Sequence, residues 1–133
     1  MQQHGELGDC SGPPRCVSSQ AADAERKVKP LRYAGSAAAA RETLVAHITA
    51  QPRTEIVTNS ACYVHATYTS AVMGYTDDVE LWFCNEPGKV EVRSSSRIGY
   101  YDFDVNRERV ERLREALAVD VEAPIGAQGG SSQ

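Results

Sequence analysis

The chain has 133 residues, 41% of them hydrophobic and 24% charged, with a net charge of −4 and a pI near 5.3. That length fits one domain, and no run is long and apolar enough to cross a bilayer. The acidic balance argues against nonspecific binding to nucleic acid or to a membrane surface, since both need a basic footprint.

Residues 1–15 and 119–133 are rich in Gly, Gln, Ser and Pro and read as flexible tails, leaving one domain over 16–118. Met1–Gly12 lacks the basic and apolar regions of an export signal. The protein is therefore expected in the cytoplasm, with the cell envelope as the alternative if a signal has been removed. The four cysteines, Cys10, Cys16, Cys62 and Cys84, permit three pairings that spacing alone does not distinguish. Cys62 and Cys84 fall in strand-like runs, where buried reduced thiols are expected. No Cys-x-x-Cys pair or zinc-spaced histidine is present, and no Gly-rich phosphate loop, so neither metal nor cofactor is expected.

Along the chain, Pro30–Tyr33 reads as an irregular lead-in that packs Leu31 and Tyr33. Ser36 is a natural N-cap for a helix through Ala50, closed by Pro52. On it Ala37, Ala40, Leu44, Val45 and Ile48 form an apolar stripe, and His47 lies at its edge. Thr54–Thr58 is a short strand. Ala61–Ser70 alternates, with Cys62, Val64, Ala66 and Tyr68 on one face and Tyr63, His65, Thr67 and Thr69 on the other.

Val79–Cys84 and Val90–Arg97 form a hairpin through Asn85–Lys89. Pairing Glu86 with Lys89 sets Phe83 opposite Val92 and Leu81 opposite Ser94 on the core face. The other face then pairs Cys84 with Glu91, Trp82 with Arg93, Glu80 with Ser95 and Asp78 with Arg97. Asp78, Glu80, Arg93 and Arg97 are thus a candidate structural ion-pair network. Asp104 is expected to cap a helix from Val105 to about Ala118. Its inward residues are Val110, Leu113 and Leu117, and Arg107 with Glu111 and Glu108 with Arg112 are surface pairs. This order implies an α+β fold, a small antiparallel sheet of about four strands with two helices packed on one face.

The segment Val92–Arg109, VRSSSRIGYYDFDVNRER, departs from what a hairpin and a helix require. Three serines occupy a strand end where β-branched residues would pack better. Asn106 shares the apolar stripe of Val110, Leu113 and Leu117, so its amide must find partners. One reading ties it to the preceding loop. The other turns it into a pocket beside the free N–H groups of a helix start. Arg93, Ser95, Arg97, Tyr101, Asn106 and Arg107 are the candidate ligand-binding residues.

These stretches resemble the domain of unknown function 1499 family. The resemblance is carried by Cys16-Val-Ser-Ser-Gln20, Pro30-Leu-x-Tyr33, Gly74-Tyr-Thr-Asp-Asp-Val-Glu80, Val92-Arg-Ser-Ser-Ser-Arg-Ile-Gly99, Asp102 and Val105-Asn-Arg-Glu-Arg109. It implies a domain without an established activity, often in exported or envelope-associated proteins. Phe103-Asp104 stand where the family usually has Leu-Gly, which adds an acid beside the arginines.

Three functional readings follow. The first is a non-enzymatic binding or accessory domain for a small anion or a partner's acidic group. The second is a small enzyme using Asp78, Glu80, Tyr101 and Asp102 for acid–base chemistry. The third is a protein-interaction module presenting Tyr63, Tyr68, Tyr75 and Trp82. The balance leans away from an enzyme, because no catalytic constellation is present. Oligomeric state and catalytic residues are left open.

Overall fold

A computed structural model of the chain describes residues 7–10, 12–99 and 104–126. It contains β1 (Cys16–Ser18), β2 (Leu31–Arg32), α1 (Ala37–Ala50), β3 (Thr54–Asn59), β4 (Tyr63–Thr69), β5 (Thr76–Trp82), β6 (Lys89–Ser96) and α2 (Val105–Gly126). The strands form a six-stranded antiparallel sheet in which β1, β6, β5, β4 and β3 are successive neighbours, and β2 pairs with the first residues of β6. The sheet thus has two strands more than expected. β1 and β2 have three and two residues, too short for an alternating pattern to show.

Both helices cover one face. Ala40, Leu44 and Ile48 of α1 and Val110, Leu113 and Leu117 of α2 close over Val64, Ala66, Val79, Leu81, Val90 and Val92 of the sheet. Leu31, from the lead-in, is fully buried in the same core. Ser36 caps α1, its hydroxyl accepting from the Ala39 N–H at 3.0 Å. In α2, Glu108 meets Arg112 at 3.9 Å, whereas Arg107 leaves Glu111 to Arg114 and turns to backbone carbonyls.

The β5–β6 register differs from the expected one by two residues. Leu81 faces Val92, Val79 faces Ser94, Glu80 faces Arg93, Asp78 faces Ser95 and Trp82 faces Glu91. The expected Trp82–Arg93 and Phe83–Val92 partners are therefore not opposed. The cause lies at the strand end. Phe83 donates its N–H to the Cys62 carbonyl at 2.8 Å, and Cys84 is bonded to Cys62, so both leave the ladder with β6. An even shift preserves which side chains face the core.

All four cysteines are paired, Cys10 with Cys16 and Cys62 with Cys84, which corrects the reduced thiols expected from strand context. Strand context gave burial, but only the β4–β5 pairing brings the Cα atoms of Cys62 and Cys84 to 5.2 Å. Closing a loop of that sequence separation, 22 residues, contributes about 3 kcal/mol in the chain-entropy account. The urea midpoint of the native chain is expected to fall on reduction. A Cys62→Ser/Cys84→Ser variant should start about 3 kcal/mol lower and respond less to reductant.

Candidate functional site

Alternation sends neighbouring polar residues of β5 and β6 to opposite faces of the sheet. On the face away from the helices, Arg97 grips Asp78 through Nε at 2.8 Å and Nη2 at 2.9 Å, and His65 Nε2 meets the same carboxylate at 2.7 Å. The Arg97 bonds, helped by His65, hold the Asp78 carboxyl below the ordinary aspartate value against the opposing effect of burial.

Beside them Glu80 is buried and accepts from Tyr63 Oη, from Arg93 Nη1 at 3.3 Å and from the Gly8 N–H at 3.0 Å. Burial, and then the bond to Glu80, pushes the Tyr63 hydroxyl well above its usual pKa. Arg93 also donates to the Asp9 carbonyl at 2.8 and 3.0 Å. A Cβ at position 8 would come within 3.1 Å of the Arg93 guanidinium carbon and of Glu80 Oε1, so the N-terminal segment packs tightly on this pair. Leu7 covers Tyr63 and Trp82. No described cavity is lined by Asp78 or Glu80.

The candidate residues therefore do not converge. Arg93, Ser95 and Arg97 belong to the outer face. Arg107 reaches the Glu25 carbonyl at 2.6 Å and the Lys27 carbonyl at 3.4 Å. Tyr101 and Asp102 lie outside the described residues. The four aromatic residues are dispersed too, with Tyr63 and Trp82 buried on the outer face, Tyr68 half-buried on the inner face and Tyr75 at the sheet's end.

Asn106 is fully buried between α2 and the inner face of β6. Its Oδ1 accepts from Ser94 Oγ at 2.6 Å and Arg109 Nη1 at 3.0 Å. Its Nδ2 donates to Ser96 Oγ at 3.0 Å and to the Arg15 carbonyl at 3.1 Å. This explains two of the three serines. Ser94 and Ser96 face the helix because their alternate, Ser95, faces out.

Next to this hub a cavity of about 490 Å³ opens between the end of the sheet, the C-terminus of α1 and the start of α2. Its polar side is an inner-face set comprising Asp77, Ser96, Arg109 and Tyr68. Arg109 meets Asp77 at 2.8 Å through Nη1, and its guanidinium carbon lies 4.3 Å from the centre of the Tyr68 ring. All three hydrogen bonds of Arg109, to Asp77, Asn106 and Ser94, leave from Nη1. Its Nη2 and Nε atoms have no partner among the described residues, although the side chain is only 13% exposed. Arg112, Arg53, His47, Gln51, Thr69 and Ser70 complete the polar lining, and Tyr75, Ile98, Pro52 and Val105 give the apolar part. Burial, and next Arg112, lowers the His47 pKa, which favours the neutral ring.

A second concavity, about 700 Å³, lies between Leu7–Cys10 and the Ser18–Arg26 loop. There Arg26 is spent on the carbonyls of Cys10, Gly12 and Pro13 and on Asp23 at 3.4 Å. Of the two, the 490 Å³ cavity is the better candidate, because it holds a largely buried arginine whose Nε and Nη2 have no partner among the described residues.

Sequence reading put Tyr68 on the core face without assigning it to a site, did not single out Arg109 among the arginines near the helix start, and missed Asp77 and Arg112, yet a signal existed. Counting back by two from Val79 and Leu81 puts Asp77 on the core face. Counting forward from Val64 and Ala66 does the same for Tyr68. An acid on an apolar face needs a buried cation, and Arg109 stands one turn beyond Asn106.

Asn106→Leu keeps the volume but leaves the buried Ser94 hydroxyl without its acceptor and removes the amide's bonds to Ser96 and to the Arg15 carbonyl. A buried polar group left unsatisfied costs about 1–3 kcal/mol. Urea unfolding should show a loss in at least that range, with Ser94→Ala in the Asn106→Leu background costing less than in the native chain.

The family model described as "Protein of unknown function (DUF1499)" matches residues 6–117. No curated protein matches the chain. Since that model covers most of the sequence, including both faces of the sheet and α2 as far as Leu117, the chain belongs to the DUF1499 family of proteins of unknown function.

Proposed function

We propose that the domain is a binding module whose inner-face cavity holds a small organic anion with an apolar body. One observation carries this reading: Arg109 is held in place at Nη1 and against Tyr68, while its Nη2 and Nε edge is left without a partner beside a cavity. Such an edge matches the two oxygens of a carboxylate. Anchoring by Asp77, Asn106 and Tyr68 removes most of the entropy that a flexible arginine would lose on binding.

The remaining lining agrees in sign and character. Arg112 and Arg53 add positive charge against the single carboxylate of Asp77, which is already paired. Tyr75, Ile98, Pro52 and Val105 offer apolar surface for the rest of the ligand. Arg53 itself adopts a left-handed backbone, φ 57°, at the turn into β3. Conformations of that kind cost free energy and cluster at ligand sites. A carboxylate side chain of a partner protein would use the same edge.

Two disulfides favour an oxidising compartment, such as the cell envelope, over the cytoplasm. No helix among the described residues is long and apolar enough to cross a membrane.

The test uses octanoate, with octanol as the uncharged control. At ten times its Kd octanoate should stabilise the chain by about 1.4 kcal/mol, and octanol should not match it. Arg109→Lys and Arg112→Gln should each weaken octanoate binding, read by calorimetry. Equal stabilisation by acid and alcohol, or undiminished affinity in Arg109→Lys, would overturn the reading.

The neutral His47 supplies a second check. A bound anion raises its proton affinity, so binding takes up a proton. Octanoate affinity should therefore increase as pH falls below about 6.5, the ordinary histidine value, and His47→Gln should flatten that dependence.

A further inference from the structure

Among the described residues six large apolar side chains are exposed, and five of them stand at one end: Val72 at 91%, Met73 at 62%, Ile98 at 59%, and Tyr75 and Val105 at 41% each. Val72 and Met73 form the tip of the β4–β5 hairpin. The turn is closed just below them, where the Ser70 N–H donates to the Tyr75 carbonyl at 2.9 Å and the Tyr75 N–H to Ser70 Oγ at 3.0 Å. Hairpin turns are ordinarily polar, but Ser70–Thr76, SAVMGYT, carries no charge. The other three line the cavity of the proposed binding site, so the tip stands beside its mouth.

Apolar groups gathered this closely on a surface mark an interaction site. Their form selects the partner. Val72 and Met73 crown a turn whose residues Ala71–Tyr75 are all exposed, a shape that enters a soft apolar layer more readily than it fits a rigid surface. Two arginines flank the mouth. Arg53 has no carboxylate partner among the described residues, and Arg112 meets Glu108 only at 3.9 Å with both side chains more than 60% exposed. An apolar tip flanked by available cations complements an anionic lipid surface. A tyrosine at its base sits where aromatic rings gather at bilayer interfaces. The net charge of −4 does not oppose this, because attraction to a surface depends on charges within about a Debye length, about 8 Å at physiological salt.

We infer that this end of the domain docks on a membrane containing anionic phospholipid. Val72 and Met73 enter the acyl boundary, Tyr75 rests at headgroup depth, and Arg53 and Arg112 meet lipid phosphates. That the bilayer supplies the cavity's ligand rests on the proposed binding function; docking itself does not.

The full chain would be floated with vesicles of phosphatidylcholine alone and with added phosphatidylglycerol, beside a Val72→Ser/Met73→Ser variant. The native chain should bind the anionic vesicles in preference, and the variant should lose about tenfold or more in affinity while keeping its melting temperature. Octanoate binding, measured without vesicles, should be unchanged in that variant, so a failure of docking and a failure of the cavity reading are told apart. Absent flotation, or flotation undiminished in the variant, overturns docking. A native dimer that the variant dissolves on sizing chromatography, with no effect on vesicles, assigns the tip to a second copy and also overturns it.

Discussion

The amide of Asn106 sits where α2 crosses the end of β6, wholly removed from water, and it reaches two serines of the strand, the carbonyl of Arg15 and the guanidinium of Arg109. A buried amide without partners would oppose folding, so these groups must be placed together or not at all. The helix axis, the edge strand β1 and the orientation of Arg109 are set by the same few bonds. Arg109 in turn holds Asp77 and lies over Tyr68, which carries the constraint to the wall of the cavity.

The sheet separates two kinds of polar chemistry. On its outer face, carboxylates and arginines meet one another, and the Glu80–Arg93 pair is covered by the segment from Leu7 to Cys10, tied down through Gly8 and the Cys10–Cys16 bond. Charge there is neutralised within the fold. On the inner face most positions are apolar, and its polar groups Asp77, Ser94, Ser96 and Asn106 gather toward the end that borders the cavity. An arginine at that end has a partner for one nitrogen only. What sets this arginine apart from those of the outer face is that its unengaged edge borders a cavity.

The hydrophobic pattern, the helix cap at Ser36 and the stripe from Asn106 to Leu117 were legible from residue order, because each depends on contacts within a few residues or on a fixed period of two or 3.6. The α+β class and the family motifs were equally open to reading. Alternation assigned the faces correctly even though the β5–β6 register was two residues off, since an even slip moves partners without turning side chains over. Tyr68 was placed inward by that counting, and Asp77 was within reach of it had the strand starting at Val79 been extended back by two residues.

Sequence alone thus determined what each residue faces: Val79, Leu81, Ser94 and Asn106 inward, Asp78, Glu80 and Arg93 outward. Only the tertiary structure decided who meets whom. β1 and β2 exist because β6 offers them a ladder, Cys62 finds Cys84 because β4 pairs β5, and Arg109 meets Asp77 and Tyr68 at the wall of a cavity because α2 packs over the end of the sheet. The physical reason is range. Periodicity and capping act over one turn or one pleat, whereas register, disulfide partners and the share of an arginine's donors already engaged depend on residues dozens of positions away.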